Sequence, residues 1–93
     1  MTSWIVSYDL KDVEGSQDYQ PLWDYFEAHG AHRVQESLWF LSSSLGVRDL
    51  TEELGSLVHK QDRIFVSELV KNNFWQAPLA GTYDWEKANP PSR

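Results

Sequence analysis

The segment Trp4-Ile5-Val6-Ser7-Tyr8-Asp9-Leu10 constrains the chain more than any other, because it is strand-like along its length and stops at a carboxylate. Strand side chains point alternately to opposite faces, so Trp4, Val6, Tyr8 and Leu10 make one apolar face. Ile5, Ser7 and Asp9 make the other, which is half polar. Such a strand suits a sheet covered by helices on one side, its other side wet or paired with a second molecule. Asp9 then stands at the strand's exit on the open face.

A chain of 93 residues forms one domain by length, with a single core. Apolar content of 41%, including five Trp, is unlike that of a disordered chain and lets a small core bury area efficiently. The net charge of −6 repels a phosphate backbone unless the eight Lys and Arg gather on one surface, so composition disfavours nucleic acid as a partner. Absence of Cys excludes disulfides, thiolate metal sites and a Cys nucleophile, and agrees with a reducing, cytoplasmic setting. Met1-Thr2-Ser3 offers no basic leader. No apolar run approaches the roughly 20 residues of a membrane span, so no membrane partner is expected.

Residues 11–17 read as a polar loop with Gly15, and Asp18 is placed to cap a first helix. Pro21 then falls at the third helical position, where the N–H it lacks has no intrahelical partner. Tyr19, Leu22, Trp23 and Phe26 recur at helical spacing, and Gly30 supplies a left-handed stop. Two strands follow, a short one near residues 32–35 and a longer one over 37–43, bending at Gln35-Glu36-Ser37. Ser42-Ser43-Ser44 and Gly46 open a second helix carrying Val47, Leu50, Leu54, Leu57 and Val58. Residues 63–70 are β-branched and aromatic enough for a fourth strand.

The order strand, helix, strand, strand, helix, strand is the split βαβ pattern of an α+β, ferredoxin-like sandwich. It predicts an antiparallel sheet ordered 4-1-3-2 with both helices on one face. Asp9, the bend at 35–37 and the stretch 60–63 then converge at one sheet end. The later strands are apolar on both faces but have helices on only one, so dimerisation through the open face is the simplest remedy. Ile5, Ser7 and Phe65 are the expected interface. Residues 71–79, with Phe74 and Trp75, are expected to add an edge strand, to the chain's own sheet or to its partner's. The domain is assigned to residues 1–83, and 84–93 to a flexible polar tail.

Three stretches, Ser7-Tyr8-Asp9-Leu10, Arg33-Val34-Gln35-Glu36-Ser37 and Asp62-Arg63-Ile64-Phe65-Val66, resemble the CRISPR-associated endoribonuclease family, Cas-two. The resemblance spans residues 4–70. It is closer to stand-alone relatives, whose pattern is similar to Tyr8-Asp9-Leu10, Gly15, Asp18-Tyr19, Leu22, Gly30, Ser37, Trp39 and Trp75. The resemblance implies a ferredoxin-like homodimer with facing sheets and the residue equivalent to Asp9 near the two-fold axis, able to bind Mg²⁺. Some members of the family are metal-dependent nucleases, and others are dimeric scaffolds for spacer integration. The acidic composition and the segment Phe74-Trp75-Gln76, unlike the family's usual partner-swapped strand, depart from the pattern.

Asp9 is the candidate catalytic and metal-binding residue, since carboxylates and phosphate oxygens suit a hard, octahedral Mg²⁺; equally, Asp ends strands and starts turns. Arg33, Ser37 and Arg63 are candidate nucleic-acid contacts, against the plainer reading of strand-end charges and a residue closing a bend. His29, His32 and His59 have no metal-ligand spacing, the glycines form no phosphate loop, and the serine run has no paired base. Most of the Trp and Phe residues keep core spacing rather than that of a base-stacking platform. Two functions remain: a nuclease hydrolysing phosphodiesters of RNA or DNA with a metal-activated water held by Asp9 of each protomer, or a non-catalytic dimeric interaction or scaffold protein.

Overall fold

The computed structural model describes residues 1–11 and 19–93. The elements run β1 (Thr2–Asp9), α1 (Gln20–Ala28), β2 (His32–Gln35), β3 (Leu38–Ser43), α2 (Val47–Gly55), β4 (Arg63–Glu68) and α3 (Thr82–Ala88). The four strands form one sheet of antiparallel pairs in the order β2-β3-β1-β4, which reads 4-1-3-2 from the β4 edge. The molecule is therefore a small α+β fold with an open antiparallel sheet.

α1 follows from its apolar spacing, with Leu22 and Phe26 buried. Tyr19 is its N-cap residue and Pro21 its second helical residue, one position earlier than expected. The expected Asp18 cap and the loop with Gly15 lie outside the described residues. At the other end Gly30 takes φ 62°, and its N–H donates to Glu27 O at 3.1 Å while that of Ala31 donates to Phe26 O at 2.9 Å. This paired closure needs a left-handed residue, which Gly accepts without a Cβ clash. α2 stops at Gly55, short of Leu57 and Val58, although Val58 still packs against the core.

Trp4, Val6 and Tyr8 of β1 meet Leu41, Val66, Leu22, Phe26, Leu50 and Leu54 in one core, so α1 and α2 share the same sheet face. Each fully buried Leu or Phe there stabilises the fold by about 1.5–3 kcal/mol relative to an exposed one. Trp39 belongs to this face too, its ring stacked on Phe26 (centroids 4.3 Å apart) and on Trp23 (6.2 Å).

The opposite face is where the structure departs from expectation. Residues 71–79 form no edge strand. Pro78 has no N–H for a ladder, and Ala77 sits at φ 49°, outside the β region. The segment instead crosses the open face and leads into α3, which occupies the first half of the expected tail. Trp75 and Trp85, with Ile5 and Leu38, pack against Val34, Phe40 and Leu69. Trp85 Nε1–H donates to Gly30 O at 2.7 Å, Ser3 Oγ–H to Asn89 O at 2.7 Å, and Lys71 N–H to Arg93 O at 2.6 Å. Residues 84–93 are thus bound to the body by backbone and side-chain hydrogen bonds. A polar-looking sequence hid this, because its apolar content is concentrated in Trp85 and two of its anchors, Asn89 O and Arg93 O, are backbone carbonyls.

Among the described residues no helix is long and apolar enough to cross a membrane.

Candidate functional site

Antiparallel pairing of β1 with β4 sets Ser7 opposite Phe65 and Asp9 opposite Arg63. Residues in such register stand side by side on one face, so the carboxylate meets the guanidinium at the sheet's edge. Arg63 Nη1–H donates to Asp9 Oδ2 at 2.7 Å, and Lys11 Nζ lies 3.4 Å from the same oxygen. The Arg63 hydrogen bond, then the charge of Lys11, hold the Asp9 carboxyl below its ordinary value of 3.8. Asp9 is ionised at neutral pH and correspondingly weak as a general base.

Asp62 closes the same end by hydrogen bonding. Its Oδ1 accepts from Lys11 N–H at 2.6 Å and from Tyr19 O–H at 3.0 Å, and its Oδ2 accepts from His59 N–H at 2.8 Å. Burial pushes this carboxyl up, but the Lys11, His59 and Tyr19 donors outweigh it and leave it below 3.8. Asp62 therefore clips together the exit of β1, the start of α1 and the approach to β4. Asp62 reaches this end as part of the expected stretch 60–63, whereas Lys11 and Tyr19 were not singled out from the sequence for it. The one available signal was that Lys11, two residues after Asp9, stays on the same face of an extended chain.

The bend at 35–37 also reaches this end, as expected. Tyr8 N–H donates to Ser37 O at 3.1 Å, and Tyr8 O–H to Glu36 O at 3.1 Å while accepting from Trp39 Nε1–H at the same distance. Arg33 Nε–H donates to Glu36 O at 2.9 Å, and its guanidinium lies 5.8 Å from the Trp39 ring centroid. Arg33 thus binds the bend itself, and Ser37 contributes its backbone carbonyl. Arg33, Ser37, Asp9 and Trp23 share a cleft of about 290 Å³; Arg63 lines another of about 540 Å³ with Ser7, Asp9, Asp62 and Phe65.

The three residues expected at a dimer interface are divided by the C-terminal layer. Ile5 packs with Phe40 beneath it, whereas Phe65 remains 66% exposed and Ser7 lies beside it in the open cleft.

For a divalent cation, the residues of one copy do not fit. Among the described residues no group of three or more His, Cys, Asp or Glu is placed to hold a metal. Asp9, on the open face, has two cationic side chains against a single oxygen, which compete with any metal there. The arrangement can hold the strand ends in register by charge, and its two carboxylates balance Arg63 and Lys11, so it gathers little positive field for a phosphate chain.

The chain matches no family model, and no solved structure matches it significantly.

Proposed function

We propose that this protein is a Cas-two-like, ferredoxin-like homodimeric interaction protein, in which the Asp9 end of the sheet is a structural ion-pair cluster rather than a nuclease centre. The observation that carries this reading is Asp9 Oδ2, engaged by Arg63 at 2.7 Å and by Lys11 at 3.4 Å. The ferredoxin-like class is supported by the strand order and by α1 and α2 sharing one face. Interaction rather than catalysis is supported by an acidic surface and by apolar side chains, Phe65 and Phe74, left in water.

The second reading is a metal-dependent nuclease acting on RNA or DNA, with Mg²⁺ shared between the Asp9 residues of two copies. It is favoured by the exposure of Asp9, whose side chain is 55% accessible beside the 540 Å³ cleft. It requires Asp9 to leave Arg63 and Lys11.

Thermal unfolding with and without Mg²⁺ or Mn²⁺ separates the two. The interaction reading expects a midpoint insensitive to metal, a dimer by light scattering, and no cleavage of RNA or DNA that depends on Asp9. A metal-dependent rise in the midpoint, abolished in Asp9→Asn together with cleavage, would transfer the site to the nuclease.

A further inference from the structure

The C-terminal layer leaves a cleft of about 150 Å³ on the open sheet face, lined by Ile5, Val34, Leu38, Phe40, Leu69 and Trp75. An apolar space of that size admits one benzene ring. At its rim stands Phe74, 99% exposed, the most exposed large apolar side chain among the described residues. An unburied phenyl ring beside an apolar hole of matching size is an unusual pairing on a monomer's surface.

The backbone carrying Phe74 is held in place. The Asn73 side-chain amide donates to Val70 O at 2.6 Å and to Glu86 Oε2 at 3.0 Å. On the other side, Ala77 is kept in the left-handed region at φ 49°, a conformation a non-glycine residue keeps only where its surroundings impose it. The ring is thus presented on an anchored segment.

We propose that two copies of the chain pair by exchanging Phe74, each ring entering the other's cleft. In a two-fold arrangement a patch meets its own copy, so a knob bordering its own hole places both contacts next to the axis and makes the interface compact. Tyr83, 66% exposed, borders a neighbouring cleft of about 320 Å³ that shares Phe74 and Trp75 but also holds Glu86, so the contact centres on the smaller, uncharged cleft. Charge selects this patch over the rest of the face. With a net charge of −6, two copies repel wherever carboxylates oppose, but every residue lining the Phe74 cleft is uncharged. The cleft lined by Asp9, Asp62 and Arg63 would instead bury charged groups, at a desolvation cost the uncharged cleft does not carry.

This inference rests on the homodimeric reading and specifies its face. Light scattering and sedimentation at micromolar concentration test it on the wild-type chain, Phe74→Ser and Phe65→Ser. Circular dichroism checks that both variants fold, as expected for exposed positions. A wild-type dimer whose Kd rises by more than about tenfold in Phe74→Ser, and is unchanged in Phe65→Ser, is the expected result. A dimer lost in Phe65→Ser but kept in Phe74→Ser would overturn the exchange and leave the dimeric reading standing on the uncovered half of the sheet. A dimer indifferent to both variants also overturns the exchange. A wild-type monomer, its cleft filled by its own Phe74 or empty, overturns both.

Discussion

The two faces of the sheet are covered by different means. On the helix-covered face, Val6, Leu22, Phe26, Leu41, Leu50 and Leu54 are fully buried, and regular elements supply nearly every contact. On the other, the buried cluster is Val34, Phe40 and Leu69, covered by an irregular segment and a short α3 that are tied down by hydrogen bonds. One face is held mainly by apolar area and the other by directional anchors. The difference teaches that the second face of a sheet apolar on both sides can be covered in part within one chain, without a second layer of long helices. The anchored layer should also open at lower free energy than the core, since it has fewer buried apolar contacts.

The largest expected effect lies on the helix-covered face. Leu54→Ala should cost about 2–5 kcal/mol in chemical denaturation, as for a leucine removed from a packed core. An unchanged midpoint would show that α2 does not carry that face.

A smaller effect is expected on the anchored face. Gly81 takes φ 96°, and a Cβ there would lie 3.2 Å from His32 Cε1. His32 Nε2 in turn lies 2.7 Å from Thr82 Oγ1, whose hydroxyl donates to Leu79 O. His32 is therefore the donor in that contact and joins β2 to the start of α3. Gly81→Ala should cost about 1–2 kcal/mol from the left-handed conformation, before any displacement of His32. The loss should appear as faster amide exchange in α3, with the core amides little changed; equal acceleration in both would merge the two faces into one cooperative unit.

The smallest effect concerns the carboxylate end of the sheet, remote from the C-terminal layer. Asp62 and Asp9 have folded values below 3.8, so each contributes stability that is fully present above that value and is lost as pH falls through the lower, folded one. The thermal midpoint should fall as pH drops below about 4, and Asp62→Asn should flatten that fall. A wild-type profile that stays level there would mean that Asp62's three donors do not hold this end of the fold.

Much of the architecture was legible because burial imposes a period. The alternation from Trp4 to Asp9 named both faces of β1 correctly, and the spacing of Leu22, Phe26, Leu50 and Leu54 put both helices on one of them. Gly30 marked the end of α1, since few other residues tolerate φ 62°. The convergence of Asp9 with the bend and with Arg63 followed from strand order alone. What that convergence would mean chemically did not follow. Whether Asp9 faces a metal or an arginine depends on which side chain of the neighbouring strand lies within 3 Å, a distance set by the β1–β4 register.

The sequence by itself determined which residues go inside, because hydrophobic burial is non-directional and leaves a repeating pattern in the chain. Only the tertiary structure decided what covers the second face. Trp85 finds Gly30, Ser3 finds Asn89 and Asn73 finds Glu86 through single directional bonds between distant positions, and such bonds have no period to read.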